Sequence, residues 1–190
     1  MSIQSNSIAH SNTRENFANQ MRLASWIGFG FELTLGIVSF IILLVAVFDP
    51  NFNINLKSGL GLVSVGSGLI VLGISIYWIF SYIQIAQKLL SANPSDHLSA
   101  EQVRNTLHIG ITIHFIGLLL TLLAAQIIVG SLVLKALTIP SGGAIYQTNQ
   151  LIEPLDIFVV QASILMITAE SLGLFITFWL LKQINLTKKA

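Results

Sequence analysis

Four runs of almost unbroken apolar residues divide the chain, over about 26–48, 59–83, 109–134 and 157–181. At ~1.5 Å of rise per residue, each run can cross a hydrocarbon core of ~30 Å with some tilt. Backbone groups inside lipid have no water to bond, so each run must pair its own N–H and C=O groups and is predicted to be a helix. The residues between the runs carry matching punctuation. Asp49-Pro50-Asn51 closes the first run, because a proline disfavours helical geometry at the residue before it. Asn93-Pro94-Ser95-Asp96 breaks the second connection into two helical extensions. Ser99-Ala100-Glu101-Gln102 then has the spacing of a capping box, which starts the third helix ahead of the membrane. Asn12-Thr13-Arg14-Glu15 resembles another cap, leading into the first run, and Glu153-Pro154 opens the fourth with proline at a permitted first-turn position. The third connection, about 135–156, is the longest irregular stretch and holds a turn at Pro140-Ser141-Gly142-Gly143.

The expected fold is therefore all-α: a polytopic membrane protein with four transmembrane helices over 26–181. A polar segment, 1–25, leads into the first helix, and a basic tail, 182–190, follows the last. Composition supports the bilayer as solvent. The chain is 54% hydrophobic, 9% charged and has a mean hydropathy of +0.80. Soluble domains carry about 25% charged residues, so this chain could not cover its surface with water-compatible groups. The polar first 25 residues and the length of the first run disfavour a cleavable signal peptide, so that run is expected to be an uncleaved anchor.

Charge and chemistry narrow the function classes. A net charge of +1 offers no concentrated basic surface for nucleic acid. The absence of cysteine removes disulfides, thiolate zinc sites, cysteine-ligated clusters and cysteine nucleophiles. The chain has no phosphate-binding glycine loop between strand and helix, no Ser–His–acid arrangement and no zinc-protease helix, so an enzyme is not expected. Lysine and arginine are unevenly distributed. Arg14, Arg22, Lys88, Arg104, Lys182, Lys188 and Lys189 fall on one side of the four spans, and only Lys57 and Lys135 on the other. Seven against two predicts that both ends of the chain lie on the cytoplasmic or equivalent side.

In lipid, helices associate by close packing and hydrogen bonds, so small residues mark contact faces. The second span has two such stripes: Gly59, Gly66 and Gly73 on one, and Gly61, Ser64, Gly68 and Ser75 nearly opposite. That pattern predicts a helix sandwiched between neighbours on both stripes. The first span sets Glu32 between Gly28 and Gly36, the third aligns Gly110, His114, Gly117, Thr121 and Ala124, and the fourth aligns Ser163, Glu170, Gly173 and Thr177. Each ionisable residue shares its stripe with small or hydroxylated residues and is predicted to face protein. A charged side chain at mid-membrane costs ~2.5–3.5 kcal/mol on insertion scales, so a partner is expected. Two carboxylates and an imidazole suit a divalent first-row metal, and the same groups relay protons. The competing account is structural: a protonated Glu bonded to a neighbouring helix, and His114 donating to a backbone carbonyl. His108 is off the His114 face, which argues against a haem held by both within one chain, and His10 and His97 sit in polar segments. Gln126 and Gln161 face away from the ionisable stripes, where they could join each other or join subunits.

The four-span plan, the long inner connection and the start of the fourth helix, Leu155-Asp156-Ile157-Phe158-Val159-Val160-Gln161-Ala162, together resemble a known family over about 20–185. It is the family of the permease-in-chloroplasts or inner-envelope translocon subunit and its cyanobacterial relatives. The resemblance implies either permeation of iron or a supporting role in protein import. It implies a bacterial inner or thylakoid membrane of cyanobacterial type, or a plastid inner envelope. It supplies no site residues. Two expectations follow. One is a permease or permease subunit for iron or another divalent metal, with no resident cofactor; four helices leave little room for a gated pathway, so a homo-oligomer or another membrane protein is expected beside it. The other is a non-transporting scaffold or translocon and assembly subunit, held in the lipid bilayer and binding membrane proteins through its small-residue faces.

Overall fold

The computed structural model describes the backbone of residues 2–48, 56–91, 93, 98–138 and 154–187, and side-chain surroundings for 14–48, 63–91, 93, 98–137 and 154–185. The described residues form four helices and no strand: α1 (Ser2–Phe48), α2 (Leu56–Leu90), α3 (Ala100–Thr138) and α4 (Pro154–Thr187). All four are long and apolar enough to cross a membrane. Ile27, Phe31, Ile70, Leu123 and Phe175 stand exposed on the outside of the bundle, whereas Glu32, His114 and Glu170 are wholly buried. A soluble bundle has the reverse arrangement. The chain is an integral, multi-pass membrane protein.

Three helix boundaries follow the sequence signals. α1 ends at Phe48, before Asp49-Pro50, and α4 begins on Pro154. At the start of α3, Ser99 N donates to Gln102 Oε1 at 2.9 Å and Gln102 N donates to Ser99 Oγ at 3.2 Å. This reciprocal pair satisfies two of the orphan amides of a helix start. The cap expected at Asn12-Thr13-Arg14-Glu15 does not form, because α1 continues through it from Ser2. The reason is visible at the end of that stretch. Phe17, Ala18 and Met21 share one buried cluster with Ala86 and Leu89 of α2, Val103 of α3 and Ile184 of α4, so the helix is stabilised by tertiary packing before the lipid span begins. The turn expected at Pro140-Ser141-Gly142-Gly143 and the break at Pro94-Ser95-Asp96 lie outside the described residues.

The helices form a square in which each packs on its sequence neighbours and α1 closes against α4, with α2 and α4 meeting across the diagonal. Successive helices are antiparallel: residues early in α1 meet residues late in α2 and α4, and Ala46 meets Val65 and Val159. The start of α1 and the end of α4 therefore share one end of the bundle. That end carries Arg22, Lys88, Arg104 and Lys182 and is called the basic end below. Two apolar clusters fill the bundle. Phe17, Met21, Leu89, Leu107 and Leu180 plug the basic end, and Ala46, Val65, Leu72, Ala124, Ile128, Val159, Met166 and Ala169 fill the far end. A polar layer separates them.

Candidate functional site

The layer is assembled from one residue on each helix. α1 supplies Glu32, α2 Ser75, α3 His114 and α4 Glu170, all with no exposed surface. His114 Nδ1 lies 3.0 Å from Glu170 Oε2 and 3.6 Å from Glu32 Oε1. The Ser75 hydroxyl lies 3.0 and 2.9 Å from the two oxygens of Glu170. With Glu170 ionised, the His114 proton sits on Nδ1, the only ring nitrogen within reach of an acceptor, while Nε2 makes no hydrogen bond among the described residues. Neither oxygen of Glu32 makes one either.

Glycine makes this convergence geometrically feasible. A Cβ at Gly117 would fall on the Glu170 carboxylate, and one at Gly173 would fall between Glu32 and the His114 ring. Helix α3 thus yields space to the acid of α4, and α4 yields space to the acid of α1 and the imidazole of α3. Gly28 and Gly36, one turn either side of Glu32, lie against Ile176, Ile79, Ile76 and Leu72 and bring α1 close to its neighbours.

The polar layer is one of three. Buried polar residues recur every seven positions on all four helices: Ser25, Glu32 and Ser39 on α1; Ser75 and Tyr82 on α2; His114 and Thr121 on α3; Ser163, Glu170 and Thr177 on α4. A seven-residue repeat keeps one face turned to the bundle axis, so these residues stack into a polar spine. The far-end layer is tied to backbone. Ser39 Oγ donates to Ala162 O at 3.2 Å, Thr121 Oγ1 to Gly117 O at 2.9 Å, and Ser163 Oγ to Val159 O at 3.1 Å. Gly68 completes it, packed on the Thr121 methyl. In the basic-end layer Thr177 Oγ1 donates to Gly173 O at 2.8 Å, and the Tyr82 hydroxyl lies beside Thr177 and Trp78 and against Gly110. Ser25 Oγ completes no hydrogen bond among the described residues.

The three predicted ionisable residues thus meet, and each predicted stripe on α1, α3 and α4 faces inward. On α2 the prediction is corrected. Gly68 and Ser75 face the core, but a Cβ at Gly66 or Gly73 would meet nothing within 4 Å, so these two glycines face outward and pack against no described residue of this chain. α2 does have two neighbours, but both are reached from the Gly68 side. The surroundings of Gly59 and Gly61 lie outside those described. Gln126 and Gln161 are exposed on the outside of the bundle, and His108 is exposed off the His114 face. Sequence reasoning placed Ser75 on a packing stripe and missed it as a hydrogen-bond partner of Glu170. It missed Tyr82 altogether, although the seven-residue step from Gly68 through Ser75 leads to it. Among the described residues, no three His, Asp or Glu side chains stand arranged to hold a metal ion.

The family model described as "Protein of unknown function (DUF3611)" matches residues 11–185. The chain belongs to that family. This DUF3611 chain is also 34% identical over 125 residues to "Protein TIC 21, chloroplastic" of Arabidopsis thaliana, a match that takes in 63% of this chain and 42% of that protein. The aligned region therefore spans less than half of the relative's length. No solved structure matches the DUF3611 chain. The matched region contains the whole polar spine, from Ser25 to Thr177.

Proposed function

We propose that this DUF3611 protein is a membrane permease or permease subunit whose central site binds and releases a cation. One observation carries the reading: two carboxylates and one imidazole meet in a fully buried layer, and no lysine or arginine is buried with them among the described residues. With both acids ionised, the layer holds net negative charge even when His114 is protonated. Charges withdrawn from water need compensation, and here only a proton or a metal cation can supply it. Glu170 has a fixed hydrogen-bonding environment, whereas Glu32 keeps both oxygens available, as a site that must load and unload requires.

The proton is the occupant best matched to the present side-chain arrangement. A divalent ion such as iron would have to displace the contact between His114 and Glu170 before imidazole and carboxylates could share it. We assign the basic end to the cytoplasmic or equivalent side from the lysine and arginine bias, and the membrane to a plastid or cyanobacterial-type one on the similarity to the chloroplast protein.

The test is flux in liposomes reconstituted with purified protein, following proton movement by an internal dye and iron(II) or manganese(II) uptake by the trapped ion. Wild-type flux above that of empty vesicles, lost in Glu32→Gln and Glu170→Gln variants that insert normally, is the expected result. Flux that never exceeds empty-vesicle leak overturns the reading. A second reading, a scaffold or assembly subunit, is favoured by one feature, the open Gly66 and Gly73 face on the outside of α2. If that reading holds, Gly73→Leu abolishes co-purification with a membrane partner or a second copy, and central-site variants do not affect it.

A further inference from the structure

The flanks of the central site are built differently, and the difference has a direction. On the far side every hydroxyl of the spine is bonded to a backbone carbonyl, across helices in the case of Ser39 and Ala162. Three of the eight buried residues of the surrounding cluster are alanines, Ala46, Ala124 and Ala169, and Gly68 packs against Thr121. Close-packed backbones with satisfied polar groups resist opening. On the basic side, Ser25 Oγ is fully buried with no hydrogen bond among the described residues, as are both oxygens of Glu32 one layer deeper, and the buried Tyr82 hydroxyl lies beside Thr177 and Trp78. Long side chains, Phe17, Met21, Leu89, Leu107 and Leu180, make up the plug there.

Depth agrees. Ser25 is three residues from Arg22 and Thr177 is five from Lys182, so this layer lies only about 5–8 Å of helix below the ring of basic side chains. A buried hydroxyl without a partner is destabilising, and water or a hydrated ion removes that cost.

We propose that Ser25, Tyr82 and Thr177 form a hydrated vestibule through which the central site exchanges with the basic end, while the Ser39, Thr121 and Ser163 layer closes the far side in this conformation. The ligand of the vestibule is water, which carries protons or hydrates an arriving cation. The direction of exchange rests on the proposed permease reading, but the water access itself does not.

The absence of cysteine makes the test direct. Ser25→Cys, Thr177→Cys, Ser39→Cys and Ser163→Cys are made singly and reconstituted with known sidedness. A membrane-impermeant cationic methanethiosulfonate reagent is then added to one side at a time. The expected result is modification of Ser25→Cys and Thr177→Cys from the basic end, at least about tenfold faster than either far-layer position from either side, since thiol reactivity follows water access. Two vestibule positions guard against one variant failing to fold. Unreactive thiols at both, or faster labelling of Ser39→Cys or Ser163→Cys from the far end, overturn the proposal. Labelling as expected in a protein that shows no flux leaves the vestibule standing and removes the permease reading, so the two failures are separable.

Discussion

The Ser75 hydroxyl sits astride the Glu170 carboxylate, 3.0 Å from one oxygen and 2.9 Å from the other. Together with His114 Nδ1 on Oε2, it gives Glu170 donors from two other helices, α2 and α3. Glu32 has no such donor on either oxygen among the described residues. The two acids of one site are therefore held differently: Glu170 ties helices together, and on the proposed permease reading Glu32 is the acid that exchanges.

This difference predicts unequal mutant phenotypes. Ser75→Ala is expected to lower stability by about 1–3 kcal/mol, because it strips a hydrogen bond from a buried carboxylate. Glu32→Gln is expected to change stability by less than about 1 kcal/mol, since no hydrogen bond is lost, yet to abolish flux. Thermal unfolding in detergent measures the first quantity and liposome uptake the second. Equal destabilisation by the two substitutions would refute the division of roles.

The glycines supply a sharper contrast. Gly117→Ala and Gly173→Ala place a methyl group on the Glu170 carboxylate and between Glu32 and His114, and each is expected to cost about 1–3 kcal/mol through overpacking. Gly73→Ala meets open space and should be neutral or stabilising by about 0.5–1 kcal/mol, the usual gain of alanine over glycine inside a helix. Unfolding midpoints of the three variants decide the matter. A Gly73→Ala protein as unstable as Gly173→Ala would show that the outer face of α2 is buried against something else.

At the start of α3 the reciprocal Ser99 and Gln102 bonds predict that Ser99→Ala costs about 0.5–2 kcal/mol, the range for loss of a helix cap. Amide hydrogen exchange should rise first at Gln102, whose N–H bonds to the Ser99 hydroxyl. An unchanged exchange profile there would mean that the cap does not hold the helix end.

Lys135 Nζ lies 2.9 Å from Asp156 Oδ2 and links the last turn of α3 to the first turn of α4. The lysine is 36% exposed, so solvent screening limits the pair, and Lys135→Ala is expected to cost no more than about 1 kcal/mol. The loss should shrink as salt is raised. A large, salt-independent loss in thermal unfolding would indicate a wholly desolvated pair.

The helix count, most of the breaks and three of the four inward faces were legible from residue order alone. The reason is local: lipid demands self-paired backbone, proline and capping residues act on their immediate neighbours, and an acid or imidazole in hydrocarbon cannot face outward cheaply. Glu32, His114 and Glu170 each sit beside glycine or a hydroxyl on their own helix, so their common orientation is written into the spacing. Helix α2 offered no such marker. Its Gly66–Gly73 and Gly68–Ser75 series share one period and one kind of residue, and neither contains a charge. Only the tertiary structure decided between them, because the choice depends on what stands opposite: Thr121 against Gly68, Glu170 against Ser75, and no described residue against Gly66 or Gly73. The same holds for the pairing of His114 with Glu170 over Glu32. Periodicity selects a face, but a separation of 3.0 against 3.6 Å is set by the packing of three helices at once.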